Sequence, residues 1–305
     1  MVKYVPIINT INFEPYPLDI LRLDLIHPFY GGNKFFKLKY NLQKATELCL
    51  SRVLTFGGSH SNHIYSTAAI CKETNIDSIG IIRGEEKLIE QSPTLQFAIK
   101  NGMKLHFVSR EKYKDKTTEN LVNDLKKLFG NFYLIPEGGS NYEGIKGCIE
   151  ILNNDLKEYD YVFCACGTAS TYSGIKISAN PNQKIIGISV LKGENKLIET
   201  VNEWMNIFGS EKIEAHQTGL INCSTIINGY DFGGYAKYSE ELILFKRNFE
   251  MEYSIPLDYI YTSKLVYAVF DLIKQGRIIK DSKILIIQSG GLQGNAGFEK
   301  RYGLV

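Results

Sequence analysis

The chain has 305 residues, of which 44% are hydrophobic and 22% charged, and a formal net charge of +2. This length suits about two domains with a sizeable core, and the composition excludes a fibre or a disordered chain. Near neutrality gives no reason to expect nucleic acid or an anionic membrane as a partner.

In chain order, a strand-like stretch at 20–23 (Ile-Leu-Arg-Leu) comes first. It is followed by Gly31-Gly32-Asn33-Lys34-Phe35-Phe36-Lys37-Leu38 and a helix-like stretch at 38–50. Lysine normally stays in water, because burying its charge is costly. The two glycines permit tight or positive-φ backbone and leave room for a flat ligand. A lysine held there can lose its proton and act as a nucleophilic amine. A solvated lysine after a Gly-Gly turn has the same local signature.

Apolar runs follow at 53–56, 79–82, 105–108 and 132–135, with helix-like segments at 65–74, 95–101 and 118–129 between them. Short apolar runs separated by helices predict buried parallel strands, and these four make one compact α/β unit. A second series has strands at 161–165, 185–190 and 284–288 and helices at 171–179, 197–208, 239–249 and 263–274. Ordinary structured chain is expected to join the two near 141–147. Because the strand at 20–23 and Lys34 precede the first unit, residues 46–145 read as a small domain inserted into a large one made of 1–45 and 146–305. No run approaches the roughly 18 apolar residues of a membrane span, and the N-terminus lacks the apolar stretch of a leader, so a cytoplasmic protein is expected. None of the six cysteines has C-x-x-C spacing. They are expected as small buried hydrophobes in a reducing compartment. The histidines are scattered, apart from the close pair His60 and His63, and no metal site is expected.

Parallel α/β sheets bind ligands at the carboxyl ends of their strands, and three loops there are rich in glycine and hydroxyls. In Gly57-Gly58-Ser59-His60-Ser61-Asn62-His63, Ser61 and Asn62 fall where a helix begins, and free N–H groups at such a start attract a carboxylate. Asn62 can donate to a phenolate-like oxygen. Plain capping by Ser59 or Ser61 is the alternative. In Cys166-Gly167-Thr168-Ala169-Ser170-Thr171, small residues let N–H groups converge on a phosphate while Thr168, Ser170 and Thr171 add hydroxyls. A simple N-cap loop has the same composition. In Gln288-Ser289-Gly290-Gly291, Ser289 can reach a ring nitrogen as a neutral hydroxyl, or the glycines can mark only a turn. Tyr235, in a glycine turn, and Tyr261, at a strand end, can each present a hydroxyl to a substrate. With 19 tyrosines in the chain, either can equally be structural.

Taken together and in order, the stretches at 31–38, 57–63, 136–141 (Pro-Glu-Gly-Gly-Ser-Asn), 167–174, 234–237, 261–264 and 289–292 resemble the family of 1-aminocyclopropane-1-carboxylate deaminases and D-cysteine desulfhydrases. These are pyridoxal-phosphate enzymes of the tryptophan-synthase-β fold type. The resemblance implies two three-layer α/β/α domains with mainly parallel sheets, pyridoxal 5'-phosphate as cofactor, a small amino acid as substrate, and a homodimer. It implies Lys34 as the Schiff-base lysine and Asn62 as the partner of the cofactor's ring oxygen. Ser61, Asn62 and His63 match the substrate-carboxylate positions. Thr168, Ala169, Ser170 and Thr171 match the phosphate cradle, and Tyr235 and Tyr261 match two active-site tyrosines. The chain departs from the family at Phe36, where arginine is usual, and at Ala169 or Ser170, where glycine is usual. It also has Thr262 where the ring-opening deaminases carry a glutamate near the pyridine nitrogen. A hydroxyl there does not hold that nitrogen protonated as a carboxylate does. The expected activity is therefore β-elimination of D-cysteine or a related β-substituted amino acid, giving a 2-oxo acid and ammonia. Ring-opening deamination and a non-catalytic ligand-binding homologue are the alternatives.

Overall fold

The structure is a computed structural model that describes residues 4–14, 16–191, 194–215 and 219–304; His216 lies outside them. Along the chain come β1 (Ile8–Phe13), β2 (Tyr16–Arg22), α1 (Asn33–Glu47), β3 (Arg52–Gly57), α2 (Asn62–Glu73), β4 (Asp77–Arg83), α3 (Leu88–Gln91), α4 (Pro93–Lys100), β5 (Lys104–Val108), α5 (Glu119–Phe129), β6 (Tyr133–Ile135) and α6 (Tyr142–Cys148). Then follow β7 (Tyr161–Cys166), α7 (Ser170–Ser178), β8 (Lys184–Ser189), α8 (Glu194–Ile207), β9 (Thr225–Ile227), α9 (Glu240–Tyr253), α10 (Thr262–Lys274), β10 (Ile284–Gln288) and α11 (Asn295–Tyr302).

The chain divides into two compact units, one made of 27–144 and 293–305, the other of 2–26 and 145–292. In the first, four parallel strands lie in the order β5-β4-β3-β6. Successive strand residues point to opposite faces, and both faces are covered. Leu54, Phe56, Ile79 and Ile81 pack with Leu121 and Leu125 of α5. Ile82 packs on the other face with Ile64 and Ala68 of α2 and Leu95 and Ala98 of α4. Serine or threonine caps start α2, α4 and α5, with Ser61, Ser92 and Thr118 each accepting from the backbone N–H three residues on.

In the second unit six strands lie in the order β1-β2-β10-β7-β8-β9, all parallel except the antiparallel pair β1–β2. Tyr161, Phe163, Ile186, Ile284 and Ile286 pack with Phe249 of α9 and Leu265, Val269 and Leu272 of α10. The alternate residues Val162, Cys164, Ile185, Leu285 and Ile287 are equally buried, as a sheet covered on both faces requires.

The residues that group with the first unit differ from the expected 46–145: residues 27–45 and 293–305 belong there too. The reason is packing. Phe35, Leu38, Leu42 and Ala45 recur at helical spacing and are buried along α1, which packs on α2 and β3. The same residues explain why α1 starts at Asn33, five residues before the expected 38. The edge strands β1 and β9 and the helices α6 and α11 were not anticipated. β1 buries only Ile11 fully and β9 has three residues, so neither carries a strong apolar signal. Of the six cysteines, Cys71, Cys148, Cys164 and Cys166 are buried as expected, whereas Cys49 and Cys223 are exposed.

Candidate active site

In the first unit Lys34 lies in the opening turn of α1. Gly32, at φ 81° and ψ −163°, turns the chain into the helix, a conformation open mainly to glycine. Lys34 is half-buried, and its Nζ donates to Asn33 Oδ1 at 3.0 Å. Ser61 caps α2, its Oγ accepting from Ile64 N–H at 3.3 Å. The N–H groups of Asn62 and His63 fall in the first turn, where a helix offers no acceptor of its own. Close packing holds this end: a Cβ on Gly57 would lie 2.8 Å from Ser61 Oγ and would overlap Ile64.

His63 departs from its expected role in one respect. Its side chain is buried, 2% exposed, and turned inward. The Thr55 hydroxyl donates to Ile135 C=O at 2.8 Å, so at 2.9 Å from His63 it must accept from Nε2–H. Nδ1 is thereby left a bare, buried acceptor without a partner. Burial, then the charges of Lys34 and Lys37, hold this imidazole well below its ordinary range. It is neutral and cannot offer a cation to a carboxylate; what remains at this position for an anion is its backbone N–H.

In the second unit the two expected loops leave neighbouring strands at the same edge. β10 and β7 run parallel and in register, so Ser289 and the turn at 167–169 both emerge at their carboxyl ends. In that turn Ala169 has φ 66°, Ser170 N–H donates to Thr168 C=O at 2.8 Å, and the Thr168 and Ser170 hydroxyls lie 3.4 Å apart. Ser170 and Thr171 are buried and open α7. The Tyr261 ring lies across the start of the turn, where a Cβ on Gly167 would come within 3.1 Å of it. Tyr235 is exposed on a glycine-rich loop.

Thr262 also departs from expectation. Its buried hydroxyl donates to Asp258 Oδ2 at 2.7 Å and accepts from Asp258 N–H at 2.7 Å. Asp258 Oδ2 further accepts from Thr262 N–H at 2.9 Å, and Oδ1 accepts from the N–H groups of Ile260 and Tyr261 at 2.8 Å each. Thr262 therefore anchors the start of α10 rather than pointing a free hydroxyl at a ligand. Asp258 and Thr55 were missed in the sequence. Each lies outside a glycine-rich loop, and only its partners reveal its role.

A family model described as "Pyridoxal-phosphate dependent enzyme" matches residues 20–290, most of the chain. The chain belongs to this family. It is 29% identical to a putative 1-aminocyclopropane-1-carboxylate deaminase of Pyrococcus horikoshii, over 96% of this chain and 89% of the relative. It is 28% identical to the mitochondrial bifunctional D-cysteine desulfhydrase/1-aminocyclopropane-1-carboxylate deaminase of Arabidopsis thaliana, over 91% of this chain and 73% of the relative. The crystal structure of an ACC deaminase homologue superposes with a TM-score of 0.83 at 26% identity, covering 100% of this chain and 95% of that one. The architecture, with its mainly parallel sheets, is that of the tryptophan-synthase-β fold type. The residues present fit the cofactor. A phosphomonoester needs several donors and little bulk, and the turn after β7 supplies three hydroxyls, the N-terminal end of α7 and only small side chains.

Proposed function

We propose that this pyridoxal-phosphate enzyme is a deaminating lyase whose preferred reaction is β-elimination from D-cysteine or a related β-substituted amino acid. The overall change is cysteine plus water to a 2-oxo acid, ammonia and hydrogen sulfide. The observation that carries this choice is the absence of a free carboxylate at the two positions considered for the ring nitrogen. Ser289 is a neutral hydroxyl, and Thr262 is tied to Asp258, whose oxygens are already occupied by the N–H groups and hydroxyl at the start of α10.

In this reading Lys34 holds the cofactor through its amine, and Thr168, Ala169, Ser170 and Thr171 receive the phosphate. Asn62 meets the ring oxygen and Ser289 the ring nitrogen. When bound, pyridoxal phosphate supplies the electron sink that makes loss of the Cα proton feasible. The chain's own residues do the rest. Ser61 and the N–H groups of Asn62 and His63, at the positive end of α2, fix the substrate carboxylate. The Lys34 amine takes the Cα proton. Tyr235 or Tyr261 delivers a proton to the departing sulfur. We also read the protein as a cytoplasmic homodimer. This rests on the family resemblance.

A second reading is ring-opening deamination, which the names of both relatives support. A panel of D- and L-amino acids and 1-aminocyclopropane-1-carboxylate, assayed for ammonia, sulfide and 2-oxo acid, separates the two. Sulfide and pyruvate from D-cysteine support the proposal; 2-oxobutanoate from the cyclopropane with no sulfide from either cysteine overturns it.

A further inference from the structure

The loop carrying Tyr235 adopts a conformation that needs external support. Phe232, Gly233, Gly234 and Ala236 have φ of 52°, 98°, 115° and 53°. Two of these are L-residues in a region they rarely occupy, and such conformations persist only where the surroundings fix them.

Lys264 provides that support. It lies on α10, one turn beyond Tyr261, and is fully buried. Its ammonium donates to three backbone carbonyls: Asp231 at 2.7 Å, Gly234 at 2.9 Å and Val190 at 3.4 Å. Three donors meet three acceptors, which satisfies a lysine completely. Two of the carbonyls belong to the strained loop, one of them immediately before Tyr235. The third follows the last residue of β8. A single buried cation thus ties the Tyr235 loop and the end of a sheet strand to the helix that Tyr261 precedes. Burial pulls this ammonium down to about 8, against the opposing pull of the Asp231 and Asp258 carboxylates, so it stays mostly charged at neutral pH.

We propose that Lys264 is a positioning residue: its ammonium acts as a tethered cation that gathers three carbonyls and thereby holds Tyr235 in the conformation the reaction uses. This rests on the reading of Tyr235 given above. It predicts that the carbonyl cage, once emptied, accepts a small free cation of the same chemistry.

The test compares Lys264→Ala, which leaves the cage open, with Lys264→Met, which fills the space without charge. Hydrogen–deuterium exchange on the full chain, with and without cofactor, reads residues 229–238 directly. We expect exchange there to rise about tenfold or more in both variants while β7 and β10 stay protected. Using the amino acid selected by the panel above, kcat is expected to fall about tenfold or more with KM changed less than about threefold. Ammonium or methylammonium at tens of millimolar should restore kcat and loop protection to Lys264→Ala but not to Lys264→Met. Should Lys264→Ala not fold, the exchange and kinetics of Lys264→Met decide alone. A folded Lys264→Met with wild-type loop exchange and kcat overturns the proposal. So does a fall in kcat that leaves loop exchange unchanged, or a folded Lys264→Ala that amines do not rescue. Tyr235→Phe serves as the control on the underlying reading. Wild-type kcat in that variant removes Tyr235 from the reaction and the functional part of this proposal with it. A slowed Tyr235→Phe beside an unaffected Lys264→Met removes Lys264 alone.

Discussion

Replacing Asp258 with asparagine changes one oxygen into an NH2 group at almost constant volume. Asp258 is 2% exposed and accepts four hydrogen bonds, two at each carboxylate oxygen. An amide has a single acceptor oxygen, so whichever way it turns, two of the four donors lose their partner. If the nitrogen replaces Oδ2, Thr262 N–H and its hydroxyl face another donor. If it replaces Oδ1, the N–H groups of Ile260 and Tyr261 do. A buried donor left without an acceptor costs about 1–3 kcal/mol, so the expected loss is about 3 kcal/mol. For a chain of this size that corresponds to about 5 °C in Tm, measured by thermal unfolding of the cofactor-free protein. Thr262→Val removes a hydroxyl shared with the same carboxylate and should cost about 1–2 kcal/mol alone. Combined with Asp258→Asn it should add less than the sum by about 1 kcal/mol, because both substitutions break the same bond. An Asp258→Asn protein within about 0.5 kcal/mol of wild type, or strict additivity in the cycle, would refute the claim that this carboxylate organises the start of α10.

Three further outcomes are expected. Lys34→Ala should lack the visible band near roughly 410–420 nm that a lysine-linked cofactor gives, and should retain no cofactor through denaturation after borohydride treatment; retention would remove Lys34 from the site. His63 has a folded-state pKa held far below its unfolded value, so as pH falls the unfolded chain takes the proton first. Its contribution is complete above about pH 6.5 and is lost below it, at up to about 1.4 kcal/mol per pH unit, and His63→Gln should flatten that slope in denaturant titrations. Nitrogen-15 spectra should show the same ring neutral with its proton on Nε2. Gly57→Ala places a methyl group against Ser61 and Ile64 and should cost about 1–3 kcal/mol, read as a lowered denaturation midpoint together with a raised KM.

The central parallel strands were legible because each is buried on both faces and reads as an uninterrupted apolar run: the 53–56, 79–82, 161–165 and 284–288 stretches fall within β3, β4, β7 and β10. The cap at Ser61 was legible as the alternative reading of its loop, whereas those at Ser92 and Thr118 were not anticipated. Burial and exposure of single cysteines, the short edge strands and the grouping of α1 with the first unit were not legible. Each is decided by what packs from elsewhere in the chain, and residues 27–45 carry no composition shift to mark them.

The candidate site divides along the same line. The glycine- and hydroxyl-rich loops stand out because the backbone conformations they need restrict the residues allowed. The groups that hold those loops do not stand out. Thr55 fixes the His63 tautomer from a strand, Asp258 organises the start of α10 from an ordinary loop, and Lys264 reaches the Tyr235 loop 30 residues away through carbonyl oxygens that every residue possesses. A backbone acceptor leaves no trace in the sequence of the segment it belongs to. A buried polar side chain whose partners are all main-chain atoms can therefore be found only once the fold is known. His63 and Thr262 show the converse: their positions match family motifs, yet hydrogen bonds to Thr55 and Asp258 engage His63 Nε2 and the Thr262 hydroxyl. Motif order thus nominates the candidate residues, and the hydrogen-bond accounting of each side chain decides which of their atoms remain available for chemistry.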